Sequence, residues 1–245
     1  MERREHSDDA VFPVMTMRIA VLASGGGSNL HAICEYFSAR GEEPSRAIRL
    51  VASDRAQAGA LERARSRGIE SLHLDAGARD HQLADLLRAR SIDLVVLAGY
   101  LRMVPAEVTA AWRGRIVNVH PALLPAFGGS GMYGRRVHEA VLAHGARVSG
   151  ATVHFVDAVY DQGPIIAQWP VPVHPHDTPD TLAQRVLEVE HQLYPRVVAL
   201  AAAGRITLDA DGRVHGALDR AMFPHFVASD EPGAADAWDA PPMHP

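Results

Sequence analysis

The sequence predicts an α/β protein: an open, mostly parallel twisted sheet of about seven strands with helices on both faces, Rossmann-like in outline. Short apolar runs rich in Val, Ile and Leu alternate with stretches of helical period. Several of these runs are apolar throughout, as strands covered on both faces are. Gly, Pro, Asn and Asp punctuate the boundaries.

Residues 1–16 are polar and aperiodic and are expected to form a disordered N-terminal arm, with Met15 or Met17 as alternative natural starts. The run 18–23 reads as a buried strand and 30–37 as a helix. A second strand spans 48–52, and a helix spans 60–67 with Gly68 as its C-cap. A short strand at 71–74, a helix at 81–90 and strands at 94–97 and 116–119 come next. A glycine-rich loop at 127–134 is little restricted in its backbone and reads as a mobile lid. It leads into a helix at 136–144, then strands at 151–156 and 164–173 joined by 157–163. The longest helix, 178–203, opens with Thr178 as N-cap and Pro179 at its first position. Residues 207–214 look like a hairpin around Asp211-Gly212. The catalytic domain is expected to span 17–226. The Pro-, Ala- and Asp-rich segment 227–245 is expected to be a disordered tail.

Composition removes several function classes. With 245 residues, 47% of them apolar, the chain suits one sizeable domain with tails. A formal charge of −5 offers no basic footprint for nucleic acid. There is no lysine, which rules out Schiff-base chemistry and a Walker-type phosphate lysine. Cys34 is the single cysteine, so there is no internal disulfide, and its apolar helical setting reads as a packed core thiol. No run approaches a membrane span and no signal peptide is recognisable, so a cytoplasmic protein is expected; as to assembly, monomer and homodimer both stay open.

The candidate chemistry centres on Asn118, His120 and Asp161. Asn118 and His120 stand two residues apart where an apolar strand runs out before Pro121, and alternation sends both to one face. In open α/β sheets that strand end is where ligands bind. Asp161 precedes Gly163-Pro164 in the loop between two apolar strands. An amide donor, an imidazole and a carboxylate to tune it are the parts for acyl-type transfer through an oxyanion. Each residue also has a plainer reading: Asn118 satisfying loop backbone, Asp161 forming a turn.

The glycine loop 24–29 precedes a helix and suits either an anion site or a tight turn that binds nothing. It lacks the G-x-G-x-x-G spacing, and Asp54 comes too late for a dinucleotide's ribose. His154 lies inside an apolar strand and reads as a core histidine supporting the site. Glu190 and Arg185 fall on opposite faces of the long helix, which leaves Glu190 a pocket role. No compact set of metal ligands is present, so no metal is expected.

At these residues the chain resembles a known family. SGGGSN (24–29), LAGYLRMV (97–104), NVHPALLP (118–125), residues 150–156 and DQGPIIAQ (161–168) are similar to the folate-dependent formyltransferases, over roughly residues 17–206. GGGSNL together with HDTPDTL and RVLEVEHQLYP narrows the resemblance to the members that formylate phosphoribosylglycinamide. The resemblance implies transfer of the formyl group of 10-formyltetrahydrofolate to the glycinamide amine, a step of purine synthesis, with the folate as co-substrate. It implies that Gly27, Ser28 and Asn29 hold the phosphate and that Glu190 contacts the glycinamide part. Asn118 would donate to the formyl oxygen, His120 would act as the acid toward the intermediate, and Asp161 would raise the imidazole pKa. Leu101, Arg102, Met103 and Val104, with Val156, Asp157 and Tyr160, would line the pterin pocket beside Asn118. Arg79 would meet the folate's glutamate. Leu187 departs from the pattern, standing where a polar or basic residue often reaches the phosphate.

Three other readings compete. A formyltetrahydrofolate hydrolase shares Asn, His and Asp but carries an added N-terminal domain. A methionyl-tRNA formyltransferase needs a basic C-terminal domain, whereas residues after 206 are acidic. A nucleotide-binding module without catalysis has no use for Asn118, His120 and Asp161 together.

Overall fold

Among the described residues the elements are, in order, β1 (Ile19–Leu22), α1 (Ser28–Ser38), α2 (Pro44–Ala47), β2 (Ile48–Ser53), α3 (Gly59–Arg65), β3 (Ser71–His73), α4 (Arg79–Ala89), β4 (Leu94–Leu97), α5 (Ala106–Ala111), β5 (Ile116–His120), α6 (Arg135–Ala143), β6 (Val148–Phe155), β7 (Ile165–Pro172), α7 (Pro179–Ala202), β8 (Thr207–Leu208) and β9 (Val214–His215). The computed structural model describes residues 17–75 and 79–216, without the side chains of 79–81. The expected arm at 1–16, the tail at 227–245 and residues 217–226 of the expected catalytic domain lie outside the described residues.

Seven strands form one sheet in the order β3-β2-β1-β4-β5-β6-β7. The first five are parallel, and β6 and β7 join antiparallel. Strand β1 shows why the apolar runs are continuous. Ile19 and Val21 face one core with Ile33 and Phe37 of α1 and Val197 of α7. Ala20 and Leu22 face the other, with Leu83 and Leu87 of α4, Val108 of α5 and Trp112. All four β1 residues are fully buried, so every position needs an apolar side chain. Burying each large one contributes roughly 1.5–3 kcal/mol.

Local signals account for the helix ends. Gly68 has φ 67°, its N–H donates to the Arg65 carbonyl, and the Ile69 N–H donates to the Ala64 carbonyl. That pair of bonds is a Schellman closure, which the left-handed glycine permits. Thr178 caps α7: its hydroxyl accepts the Thr181 N–H at 3.2 Å, and the Thr181 hydroxyl accepts the Thr178 N–H at 2.9 Å. Buried Tyr194 pins α7 to the sheet, its hydroxyl pointing at the carbonyls of Leu97 and Val117, 3.0 Å from each. Helices α2 and α5, of 4 and 6 residues, have no counterpart in the sequence reading, because so few residues carry no helical period. Strand β6 starts at Val148, three residues before the expected run, across the Gly150 position. Among the described residues no helix is long and apolar enough to cross a membrane.

The parallel strands send the loops after β1, β4 and β5 to one edge of the sheet. Strand β6 runs the other way, with Phe155 beside Val117. The segment after it turns back, so that Asp161 comes within ion-pair reach of His120.

Candidate active site

A cleft of about 650 Å³ opens at this edge. Asn118, His120 and Asp161 all line it, as do Leu101, Arg102, Met103 and Val104 after β4, and Val156, Asp157 and Tyr160 after β6. Helix α7 presents Ala183, Leu187 and Glu190 to it, three positions about one turn apart on one face. Arg185 lies outside the lining and forms a two-point ion pair with Asp177, in line with the expected opposition to Glu190. The volume is that of a site for a drug-sized ligand.

Hydrogen bonding fixes the orientation of Asn118. The His154 Nδ1 lies 2.7 Å from the Phe155 carbonyl, which can only accept, so Nδ1 carries the proton. Its Nε2 is then an acceptor, and the Asn118 Nδ2 donates to it at 3.1 Å. One N–H of the Asn118 amide is thereby spent, and the other is left for the cleft. Burial lowers the His154 pKa, which keeps the ring neutral as this arrangement requires. His154 is thus the supporting core histidine that its apolar strand suggested.

The same logic applies to His120, which is 3% exposed. Its Nε2 donates to the Phe127 carbonyl at 2.9 Å, and its Nδ1 lies 3.5 Å from the Asp161 Oδ2. That oxygen also accepts the Gly129 N–H at 2.8 Å. Phe127 and Asp161 have φ of 56° and 57°, left-handed conformations that cost energy outside glycine. Backbone strain therefore sits on the two residues that flank the imidazole. Asp161 acts on the His120 pKa in the expected upward direction, but it does not decide the net shift. The Asp161 carboxylate and the Phe127 carbonyl do act upward, but burial outweighs them and the pKa is lowered. Burial therefore favours the neutral form of the His120 imidazole.

At the other end of the cleft the Asn29 Nδ2 donates to the Glu190 Oε2 at 2.8 Å. Glu190 is 7% exposed, and burial lifts its pKa to about 7 against the opposing Asn29 bond. The Asn29 Oδ1 is buried without a partner, an acceptor turned toward no protein donor. Of the other loop residues, Gly27 is the left-handed N-cap of α1, and a Cβ there would lie 2.8 Å from the Ala60 Cα. Ser28 is exposed at the helix start. Neither Gly27 nor Ser28 lines the cleft itself. Arg79 is the first residue of α4, and its side chain lies outside the described residues.

Several contributors escaped the sequence. His138 of α6 lines the cleft, 4% exposed, with Nδ1 buried and unpartnered and its pKa lowered by burial. It occupies an apolar-face position of an amphipathic helix, where nothing marks it as a site residue. Tyr133 and Arg136 line the rim, the guanidinium 5.3 Å from the ring centroid. Among the described residues no three His, Cys, Asp or Glu side chains gather as metal ligands.

This geometry defines a class. A neutral imidazole backed by a carboxylate, beside an oriented amide donor at the open end of a parallel sheet, is equipped for acyl transfer. Residues 17–198 match the formyl transferase family, and the chain belongs to it. It is 45% identical over 205 residues to the chloroplastic phosphoribosylglycinamide formyltransferase of Arabidopsis thaliana, covering 80% of this chain and 68% of that protein. Glycinamide ribonucleotide transformylase 1 from Symbiobacterium toebii superposes with a TM-score of 0.73 at 44% identity, over 81% of this chain and 93% of that one. A formyltetrahydrofolate deformylase from Pseudomonas syringae pv. tomato has a TM-score of 0.70 at 22% identity, over 82% of this chain and 66% of that one, which shows a shared fold alone.

Proposed function

We propose that this enzyme transfers the formyl group of 10-formyltetrahydrofolate to the amine of phosphoribosylglycinamide, giving formylglycinamide ribonucleotide and tetrahydrofolate in purine synthesis. The observation that carries the reading is one continuous cleft. It runs from the Asn29–Glu190 pair at the start of α1 to Asn118, His120 and Asp161.

In this reading the amine nitrogen attacks the formyl carbon, and the free Asn118 N–H donates to the oxygen as it gains charge. The amine's proton passes to the His120 Nδ1, the ring nitrogen not engaged by the Phe127 carbonyl. Asp161 balances the imidazolium that forms. The proton then goes to the folate N10 as the C–N10 bond breaks. Leu101, Met103, Val104 and Val156 give the pterin apolar walls. Asn29 and Glu190 read polar groups of the amine substrate, and the N–H groups at Gly27, Ser28 and Asn29 receive its phosphate. Arg79 attracts the folate's glutamate carboxylates, and Arg102 forms part of the pterin wall. The segment 127–134 acts as a lid that excludes water from the formyl donor. All these groups belong to one chain, so monomer and homodimer both suit the reading. We assign the enzyme to the cytoplasm, since its single buried thiol asks for no oxidising compartment.

The test is to mix the protein with 10-formyltetrahydrofolate, with and without phosphoribosylglycinamide, and to monitor tetrahydrofolate. Release only in the presence of the amine is expected. Equal release without it would identify a hydrolase, and no release in either case would leave a binding module.

A further inference from the structure

Asp54 comes directly after β2 and takes no part in the chemistry above. Its side chain is 6% exposed, yet it lies against two segments of the ligand-binding edge. We propose that Asp54 is a positioning residue that holds the segment 99–104 in its folate-binding shape, acting through Ser24 and Arg102 without touching the ligand. The proposal rests on the reading of that segment as the folate wall.

The Ser24 hydroxyl donates to the Asp54 Oδ1 at 2.6 Å. Its single proton is thereby committed, and its lone pairs turn to the Leu101 N–H, which donates at 2.9 Å. The other carboxylate oxygen accepts the Arg102 Nε–H at 3.0 Å. Asp54 therefore holds a backbone amide of the segment through Ser24 and a side chain of the segment directly. Both bonds to the carboxylate are charge-assisted, the stronger class. Residues 99–104 belong to no helix or strand, so they have no ladder of their own to fix them. The rest of the glycine loop, which begins at Ser24, has holds of its own that do not involve Asp54. The Ala60 N–H donates to the Gly25 carbonyl at 3.1 Å, and the Arg63 Nε–H donates to the Gly26 carbonyl at 2.8 Å. Removing the Asp54 carboxylate should loosen the folate wall and leave the rest of the glycine loop in place.

The consequence is a split between the two substrates. Asp54→Ala removes both charge-assisted bonds and should raise the KM for 10-formyltetrahydrofolate by roughly tenfold or more, since one such bond alone is worth about that factor. The KM for phosphoribosylglycinamide and kcat should stay within about twofold. Asp54→Asn is nearly isosteric, retains an oxygen for Ser24 and cannot hold Arg102, so it should fall between wild type and Asp54→Ala. In an Arg102→Ala background Asp54→Asn should add almost nothing, because the contact it removes is already gone. A parallel rise in both KM values with a lowered melting temperature would reduce Asp54 to a structural residue. Additive effects of Asp54→Asn and Arg102→Ala, or an unchanged folate KM, would also overturn the proposal. Direct titration with tetrahydrofolate separates this inference from the functional reading. A wild-type protein that does not bind it removes the folate assignment. Equal binding by wild type and the Asp54 variants removes only the role of Asp54.

Discussion

Asn118 and His154 face each other across β5 and β6, and the bond between them, 3.1 Å from Nδ2 to Nε2, sets which way the amide of Asn118 points. The buried His154 tautomer is in turn set by the Phe155 carbonyl. An oxyanion donor is effective when it is oriented before charge develops, and here a backbone carbonyl two contacts away does the orienting.

Replacing His154 by Ala should therefore lower kcat by roughly 10- to 100-fold, less than the 10²–10³ typical of deleting an oxyanion donor outright. His154→Gln offers an amide oxygen to Asn118 and should recover part of the loss. Steady-state kinetics of both variants, with melting curves, check this; equal loss in both would mean that His154 serves packing alone.

Asp161→Asn keeps the side-chain shape and removes the charge that opposes burial at His120. The His120 pKa should fall further, and the acidic limb of the kcat/KM profile should move to lower pH. Turnover should drop within the roughly 10²–10⁴ range of general acid–base contributions. A folded variant with near-normal turnover would take Asp161 out of the proton path.

Glu190 gives a prediction about stability. In the unfolded chain its carboxyl ionises at its ordinary value of 4.5, and in the folded protein at about 7. Between these values folding takes up a proton, so this group's contribution declines as pH rises through the window and is flat above it. Glu190→Gln should leave the melting temperature nearly unchanged at pH 4. It should raise it at pH 8, by an amount corresponding to at most about 3 kcal/mol. The same variant should raise the KM for phosphoribosylglycinamide. A melting difference independent of pH would show that Glu190 is not buried as a neutral acid.

Gly128 sits where the lid leaves the site, and a Cβ there would lie 2.5 Å from the Leu124 Cδ2 and 3.1 Å from the Asp161 Cβ. Gly128→Ala should displace Asp161 from His120, with turnover falling roughly tenfold or more and an overpacking cost of about 1–3 kcal/mol. Turnover and melting temperature measured together test it; wild-type turnover would mean that the lid yields instead of Asp161.

The sequence by itself determined the features that depend on local geometry. The two-residue spacing of Asn118 and His120 on a strand puts them on one side whatever the rest of the chain does. Continuous apolar runs such as Ile19–Leu22 require cover on both faces and hence a mostly parallel sheet. Thr178 and Pro179 start a helix because they suit its unpaired first turn. Tertiary structure alone decided the features that depend on distant segments meeting. Asn29 and Glu190, 161 residues apart, become partners only because α1 and α7 pack together. His138 becomes a cleft residue only when α6 is laid against the site, and Asp54 acquires its two partners only when the loops after β1 and β4 converge on it. The charge state of His120 belongs here as well. The nearby carboxylate was legible from Asp161, but the burial that outweighs it is a property of the assembled cleft, because desolvation sums over every neighbour that excludes water.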